Sequence, residues 1–103
     1  MKIAVGADHA GYLLRREVIE TLRQEGHEVL DLGVDCPDPV DYPDSARAVA
    51  EAVVSGAAER GIIICGSGAG VSVAANKFRG IRAAAAHDVY TAHQSVEHDD
   101  VNV

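Results

Sequence analysis

Residues 61–78 constrain the fold more than any other stretch of the chain. They read Gly-Ile-Ile-Ile-Cys-Gly-Ser-Gly-Ala-Gly-Val-Ser-Val-Ala-Ala-Asn-Lys-Phe. The isoleucines at 62–64 predict a buried strand. Cys65 stands where that strand ends, and Gly66-Ser67-Gly68-Ala69-Gly70 follows it. The apolar stretch 71–78 then predicts a helix. A strand, a glycine loop and a helix in this order belong to an open α/β sheet. Ligands of such sheets bind at the carboxyl ends of the strands, in front of helix N-termini. Three glycines within residues 66–70 let the backbone come close to a charged ligand.

The rest of the chain repeats the alternation. Residues 2–6 form a short apolar run, the first predicted strand, with Asp8 and His9 directly after it. Over residues 10–25, Leu14, Val18 and Leu22 recur every four residues as one ridge, with Arg15, Arg16, Glu20 and Arg23 facing away. This is an amphipathic helix, and Gly26 is placed to end it. Residues 28–32 predict a second strand. Gly33, Pro37, Pro39 and Pro43 make the next stretch a loop, which carries Asp35, Asp38 and Asp41. Asp44 or Ser45 can cap the helix that follows, with Val49 and Val53 inside and Gly56 at its end. Residues 80–86 include four alanines, which favour helix. Alternation instead predicts a strand there, with His87 and Asp88 at its end. Residues 89–97 predict a short helix, 98–100 a turn, and 101–103 the start of another strand.

This pattern predicts one domain over residues 1–103, a Rossmann-like three-layer α/β sandwich with a parallel sheet and helices on both faces. At 103 residues the chain can build a core without staples. A formal charge of −7 argues against general affinity for nucleic acid or anionic membranes, but not against a small anionic substrate. Two cysteines, Cys36 and Cys65, are too few for a disulfide framework and fit a reducing compartment. No apolar run is long enough to span a membrane, and Asp8 and His9 interrupt the N-terminal run too early for a signal peptide. A cytoplasmic protein is expected.

On this topology Asp8, His9, Cys65 and His87 share one rim, and His98 belongs on the opposite one. Cys65 admits two readings. Free cysteines are often small buried hydrophobes. Against that, this one ends a strand, precedes a glycine loop and faces a helix N-terminus, whose positive end stabilises a thiolate. The loop itself is not a P-loop, because no Gly-Lys-Ser/Thr follows, and its glycine spacing is wrong for a dinucleotide site. It remains a general anion nest, suited to a phosphate or to the oxyanion of an enediolate. His93 and His98 are five residues apart, on different helix faces, which argues against a metal site. Tyr42, on the proline-rich loop, is placed to line a sugar pocket. Arg79 and Arg82 flank a turn and are expected to face solvent.

Taken together, the motifs Val5-Gly-Ala-Asp-His-Ala-Gly11, Asp41-Tyr-Pro-Asp44, Ile64-Cys-Gly-Ser-Gly-Ala-Gly-Val71, Ala74-Ala-Asn-Lys77, Gly80-Ile-Arg-Ala83 and Glu97-His-Asp-Asp-Val-Asn102 resemble the type B ribose-5-phosphate isomerase family, which includes galactose-6-phosphate isomerase subunits. The resemblance covers the whole chain. It implies that Cys65 is the base that moves a proton between the first two carbons of an open-chain sugar. It implies that Ser67 assists proton transfer at the oxygens and that Gly66, Gly68, Ala69 and Gly70 cradle the enediolate. By the same resemblance, His98 helps open the furanose ring, Asp8 contacts a sugar hydroxyl, and Tyr42 lies near the sugar. His9 matches a phosphate contact made across a dimer interface. The resemblance also implies no metal or organic cofactor, and a homodimer or dimer of dimers with shared sites.

Two departures from the family pattern stand out. Many members have Asn after the residue matching His98. This chain has Asp99, which accepts hydrogen bonds but cannot donate them. Typical members also continue through a full fifth strand and a C-terminal helix bearing phosphate-binding arginines, whereas this sequence stops at Val103. The implied reaction is ribose 5-phosphate to ribulose 5-phosphate. Erythrose 4-phosphate, allose 6-phosphate and galactose 6-phosphate are alternative substrates. A non-catalytic sugar-phosphate-binding module and a thiol redox protein are the rival classes. The latter is disfavoured by the lack of a Cys-X-X-Cys motif.

Overall fold

The computed structural model describes residues 1–33 and 42–103. The expected acidic loop of Asp35, Asp38 and Asp41, and the thiol of Cys36, lie outside the described residues. The elements run β1 (Lys2–Ala7), a 3-10 turn (His9–Gly11), α1 (Tyr12–Gln24), β2 (Glu28–Asp31), α2 (Tyr42–Val54), β3 (Arg60–Ile64), α3 (Ala69–Ala75) and α4 (Val89–Asp99). Among the described residues the sheet is β2-β1-β3, all parallel. This is the Rossmann-like α/β sandwich expected from the alternation.

The period of the strands decides what each face buries. Ile3 and Val5 of β1 face α1 and pack with Ile19, Leu22, Val29, Ile62 and Ile64. Ala4 faces the other way, onto Val49 and Ala52 of α2, with Leu30 and Ile63 beside it. Glycine lets α2 sit close to this second face. A Cβ on Gly61 would lie 2.4 Å from a Val49 methyl, and one on Gly6 would lie 2.8 Å from the other. A third cluster joins α2 to α3 through Ala46, Ala50, Val71, Ala75 and Ile81, with Cys65 packed against its edge.

Several expectations hold closely. Gly26 and Gly56 follow α1 and α2 with φ of +89° and +83°, a conformation that costs glycine little. Val49 is fully buried. Other expectations need correction. The inner face of α1 is Arg15 and Ile19, and Leu14 is about half exposed. Arg15 does not face away. It turns in against Gly33 and pairs with Asp31 at the end of β2, so its buried charge is neutralised. The helix α2 begins at Tyr42, so neither Asp44 nor Ser45 is its cap. Ser45 is buried and its hydroxyl donates to the Ala7 carbonyl at 2.9 Å. Helix α3 begins two residues early and ends at Ala75, before Phe78.

The largest correction concerns residues 80–86, which form no strand. A strand needs a neighbour along its length, and this segment does not pair with β3. The neighbour it has is residues 102–103. Asn102 N–H donates to the Arg82 carbonyl at 2.9 Å, and Ala84 N–H donates to the Val103 carbonyl at 3.1 Å. Those same residues reach β3 through Gly61 N–H, which donates to Asn102 at 2.9 Å. The order continues as β3, then 102–103, then 82–84.

Candidate active site

The site begins with the sheet order. The chain passes from β1 to β2 on one side, then crosses over to β3 on the other. Its topological switch point is therefore the carboxyl end of β1 and β3, where an open sheet splays its loops apart and leaves a crevice. Asp8 and Cys65 follow those two strands. The Asp8 N–H donates to the Ile64 carbonyl at 3.2 Å, which ties the two strand ends together. The Asp8 carboxylate is buried and caps the 3-10 turn. Its Oδ1 accepts from Ala10 N–H at 2.9 Å and from Gly11 N–H at 3.0 Å. His9 is exposed on that turn.

Cys65 is half-buried, and its sulfur is not sealed in the core. It is the acceptor for the Gly68 N–H at 3.1 Å. Gly68 can aim its amide back at the sulfur because it adopts φ +81°, a left-handed conformation. Ser67 is exposed and its hydroxyl oxygen accepts from the Ala69 N–H at 3.2 Å. Beside these groups a hollow of about 370 Å³ runs between β3 and residues 83–86, in line with the path of residues 102–103. One wall is β3 and the loop from Cys65 to Gly68. The other is the irregular segment 83–87, ending in His87. Val103 forms the floor and Val71 and Ser72 of α3 close one side.

The structure does not gather every expected residue here. Gly70 and Tyr42 line a neighbouring hollow between α2 and α3, and a Cβ on Gly70 would meet the Tyr42 ring at 2.9 Å. Tyr42 therefore supports the glycine loop from below rather than lining the cavity over Cys65. His98 and Asp99 sit in the last turn of α4, not in a turn after it, and both are exposed. Neither lines the cavity around Cys65. Arg82 is not simply solvent-facing. Its guanidinium holds the Asp100 carboxylate at 2.6 Å and the Asp100 carbonyl at 2.9 Å. Two groups to which sequence reasoning gave no role hold the segment beside the site: the Ser72 hydroxyl and the Asn76 amide both bond Ala83, several residues downstream, a contact no local pattern marks.

Residues 3–103 match the ribose/galactose isomerase family. The chain belongs to that family. Ribose-5-phosphate isomerase B of Escherichia coli is 47% identical over 99% of this chain and 68% of its own length. The solved ribose-5-phosphate isomerase B of Clostridium thermocellum superposes with a TM-score of 0.97 at 53% identity, covering 99% of this chain and 69% of that one. A D-erythrulose-4-phosphate isomerase of Mycolicibacterium smegmatis is 42% identical over 100% of this chain and 70% of its own length. Membership makes this an isomerase scaffold whose relatives act on phosphorylated sugars. No helix among the described residues is long and apolar enough to cross a membrane.

Proposed function

We propose that this chain interconverts ribose 5-phosphate and ribulose 5-phosphate, with Cys65 as the base. The observation that carries this reading is the half-buried sulfur at the switch point, touched by a loop amide. In an aldose–ketose isomerisation, a base removes the proton beside the carbonyl and returns it to the neighbouring carbon. Charge moves onto the oxygens as an enediolate. Donors fixed before the reaction lower the cost of that charge. The loop 66–70 supplies backbone N–H groups for this, and the Ser67 hydroxyl moves a proton between the two oxygens. Asp8 keeps a second carboxylate oxygen for a sugar hydroxyl while Oδ1 caps the turn.

The cavity wall offers a phosphate no lysine or arginine among the described residues; His87 is its one ionisable cation. A second copy of the chain contributes to phosphate binding and supplies His98 to open the sugar ring. Exposed apolar side chains support such an interface. Val89 and Tyr90 of α4 and Leu13 of α1 are each about three-quarters exposed or more. His9 then faces a phosphate across the interface, and Asp99 sits beside the ring-opening histidine.

A coupled assay on ribose 5-phosphate tests the reading. Cys65→Ala should lose about two to four orders of magnitude in turnover and keep its fold. Equal turnover in that variant refutes the base. Mixing inactive Cys65→Ala with inactive His98→Ala should restore activity if sites are shared. No recovery in an exchanging mixture refutes the shared site. Running erythrose 4-phosphate, allose 6-phosphate and galactose 6-phosphate in parallel ranks the substrates.

A further inference from the structure

The peptide between Ala7 and Asp8 is held at its two edges by different parts of the chain. Its N–H belongs to Asp8 and donates to the Ile64 carbonyl at 3.2 Å, which continues the ladder from β1 to β3. Its carbonyl belongs to Ala7. Groups alternate sides along a strand, so this carbonyl faces the side on which the Val5 carbonyl accepts from Leu32 N–H at 2.8 Å. Strand β2 has already ended there, at Asp31. Among the described residues the group that meets the Ala7 carbonyl is the Ser45 hydroxyl, donating at 2.9 Å from the first turn of α2. Ser45 is itself buried. It comes this near because position 6 carries no side chain. A Cβ on Gly6 would stand 2.8 Å from a Val49 methyl and 3.4 Å from the Ser45 carbonyl oxygen.

We propose that Ser45 is a positioning residue, which pins the Ala7–Asp8 peptide where the ladder to β2 has run out and so aims the Asp8 carboxylate. This deepens the isomerase reading and rests on it for its kinetic consequence. The peptide unit is planar, so its orientation sets where the next Cα carries its side chain. Held by the Asp8 N–H alone, the plane can rock about that hydrogen bond. Held at both edges, it cannot. Asp8 is extended at φ −86° and ψ −174°, and its Oδ1 is engaged by the Ala10 and Gly11 amides. The direction of its second oxygen, the one offered to a sugar hydroxyl, therefore follows the backbone. Ser45 touches no substrate and acts through Asp8.

A mutant cycle tests this: Ser45→Ala, Asp8→Asn and the two combined, each assayed on ribose 5-phosphate well below its melting temperature. Ser45→Ala should lower kcat/KM about 10-fold. KM should rise more than kcat falls, because a contact to a sugar hydroxyl is made in bound substrate and transition state alike. Asp8→Asn keeps a capping oxygen and loses the free carboxylate oxygen. In that background Ser45→Ala should change kcat/KM by less than about twofold, since both substitutions act on one contact. A further loss of about 10-fold there means that Ser45 acts elsewhere, and overturns the proposal. So does a Ser45→Ala chain that melts earlier yet keeps wild-type kinetics, the mark of a merely structural hydroxyl. If Ser45→Ala fails to fold, Ser45→Cys, close in shape and a weak donor, takes its place in the cycle. If the wild-type chain isomerises no phosphosugar, the isomerase reading fails by itself. Hydrogen exchange then decides the positioning role. Faster exchange of the Ala10 and Gly11 amides in the Ser45 variant, with Ile3 and Val5 unchanged, supports it. Unchanged exchange, or loss of protection along all of β1, overturns it.

Discussion

The two flanks of β3 are built by different means. On the β1 side a parallel ladder pairs Ile3 with Arg60 through to Ala7 with Ile64, and aliphatic side chains bury both faces of it. On the other side the Gly61 N–H reaches residue 102, backbone bonds join 102–103 to Arg82 and Ala84, and two asparagine side chains add to them. Asn76 grips Ala83, while Asn102 accepts from Arg82 N–H and donates to the Gly80 carbonyl. The segment ends in α4, none of whose residues is buried. Cys65 and its glycine loop stand at the end of the laddered strand, and residues 83–87 stand on the other flank.

The comparison breaks first at the joint between β1 and β3. A Cβ on Gly11 would sit 2.4 Å from the Ile64 carbonyl oxygen and 2.8 Å from its carbon, and backbone has nowhere to retreat. Gly11→Ala should cost about 3 kcal/mol in urea unfolding, at the upper end for overpacking, and should displace Cys65 along with Ile64. A neutral result would mean that the laddered flank is as compliant as the other. Val49→Ala is the next largest. Two methyls leave a fully buried site between Gly6 and Gly61, at a cost of about 2 kcal/mol by the same measurement. On the opposite flank, Arg82→Ala should cost less than about 1 kcal/mol, because its pair with Asp100 is largely exposed. A loss as large as that of Val49→Ala would erase the distinction.

How much of this was legible in the sequence follows the same division. Ile3, Val5, Ile62 and Ile64 announce their strands by composition and alternation, and Gly26 and Gly56 announce their helix ends, because these signals are local. Cys65 and its glycines were legible for the same reason: strand, thiol and loop are contiguous. Arg15 was not. A helical wheel turns every arginine outward, and only Asp31, sixteen positions away, brings this one in. Ser45 looked like a cap because its partner, the Ala7 carbonyl, is equally remote. Residues 80–86 were read as a strand from alternation, yet strand formation depends on a neighbour that local pattern does not reveal. Asn76 stood out only within the motif Ala74-Ala-Asn-Lys77, and nothing local marks the backbone seven residues later that it holds.

The smallest expected effect sharpens the comparison at α4. Asp88 caps this helix, and its carboxylate accepts from the Thr91 N–H at 2.6 Å. Hydrogen bonds from the Thr91 backbone and then its side chain hold the Asp88 carboxyl below its ordinary value, with His87 adding a weaker pull in the same direction. The folded helix therefore binds this proton less readily than the unfolded chain does. The cap's contribution is complete above the ordinary carboxylate range and fades as pH falls through the lower, folded value. Because Asp88 is exposed, the fading should be local: the Thr91 amide should lose hydrogen-exchange protection in acid while Ile3 and Val5 keep theirs. Asp88→Asn should retain a capping oxygen and flatten the acid dependence of that amide. If β1 and α4 instead lose protection together in acid, the two flanks form one cooperative unit, and α4 would have no independence from the ladder.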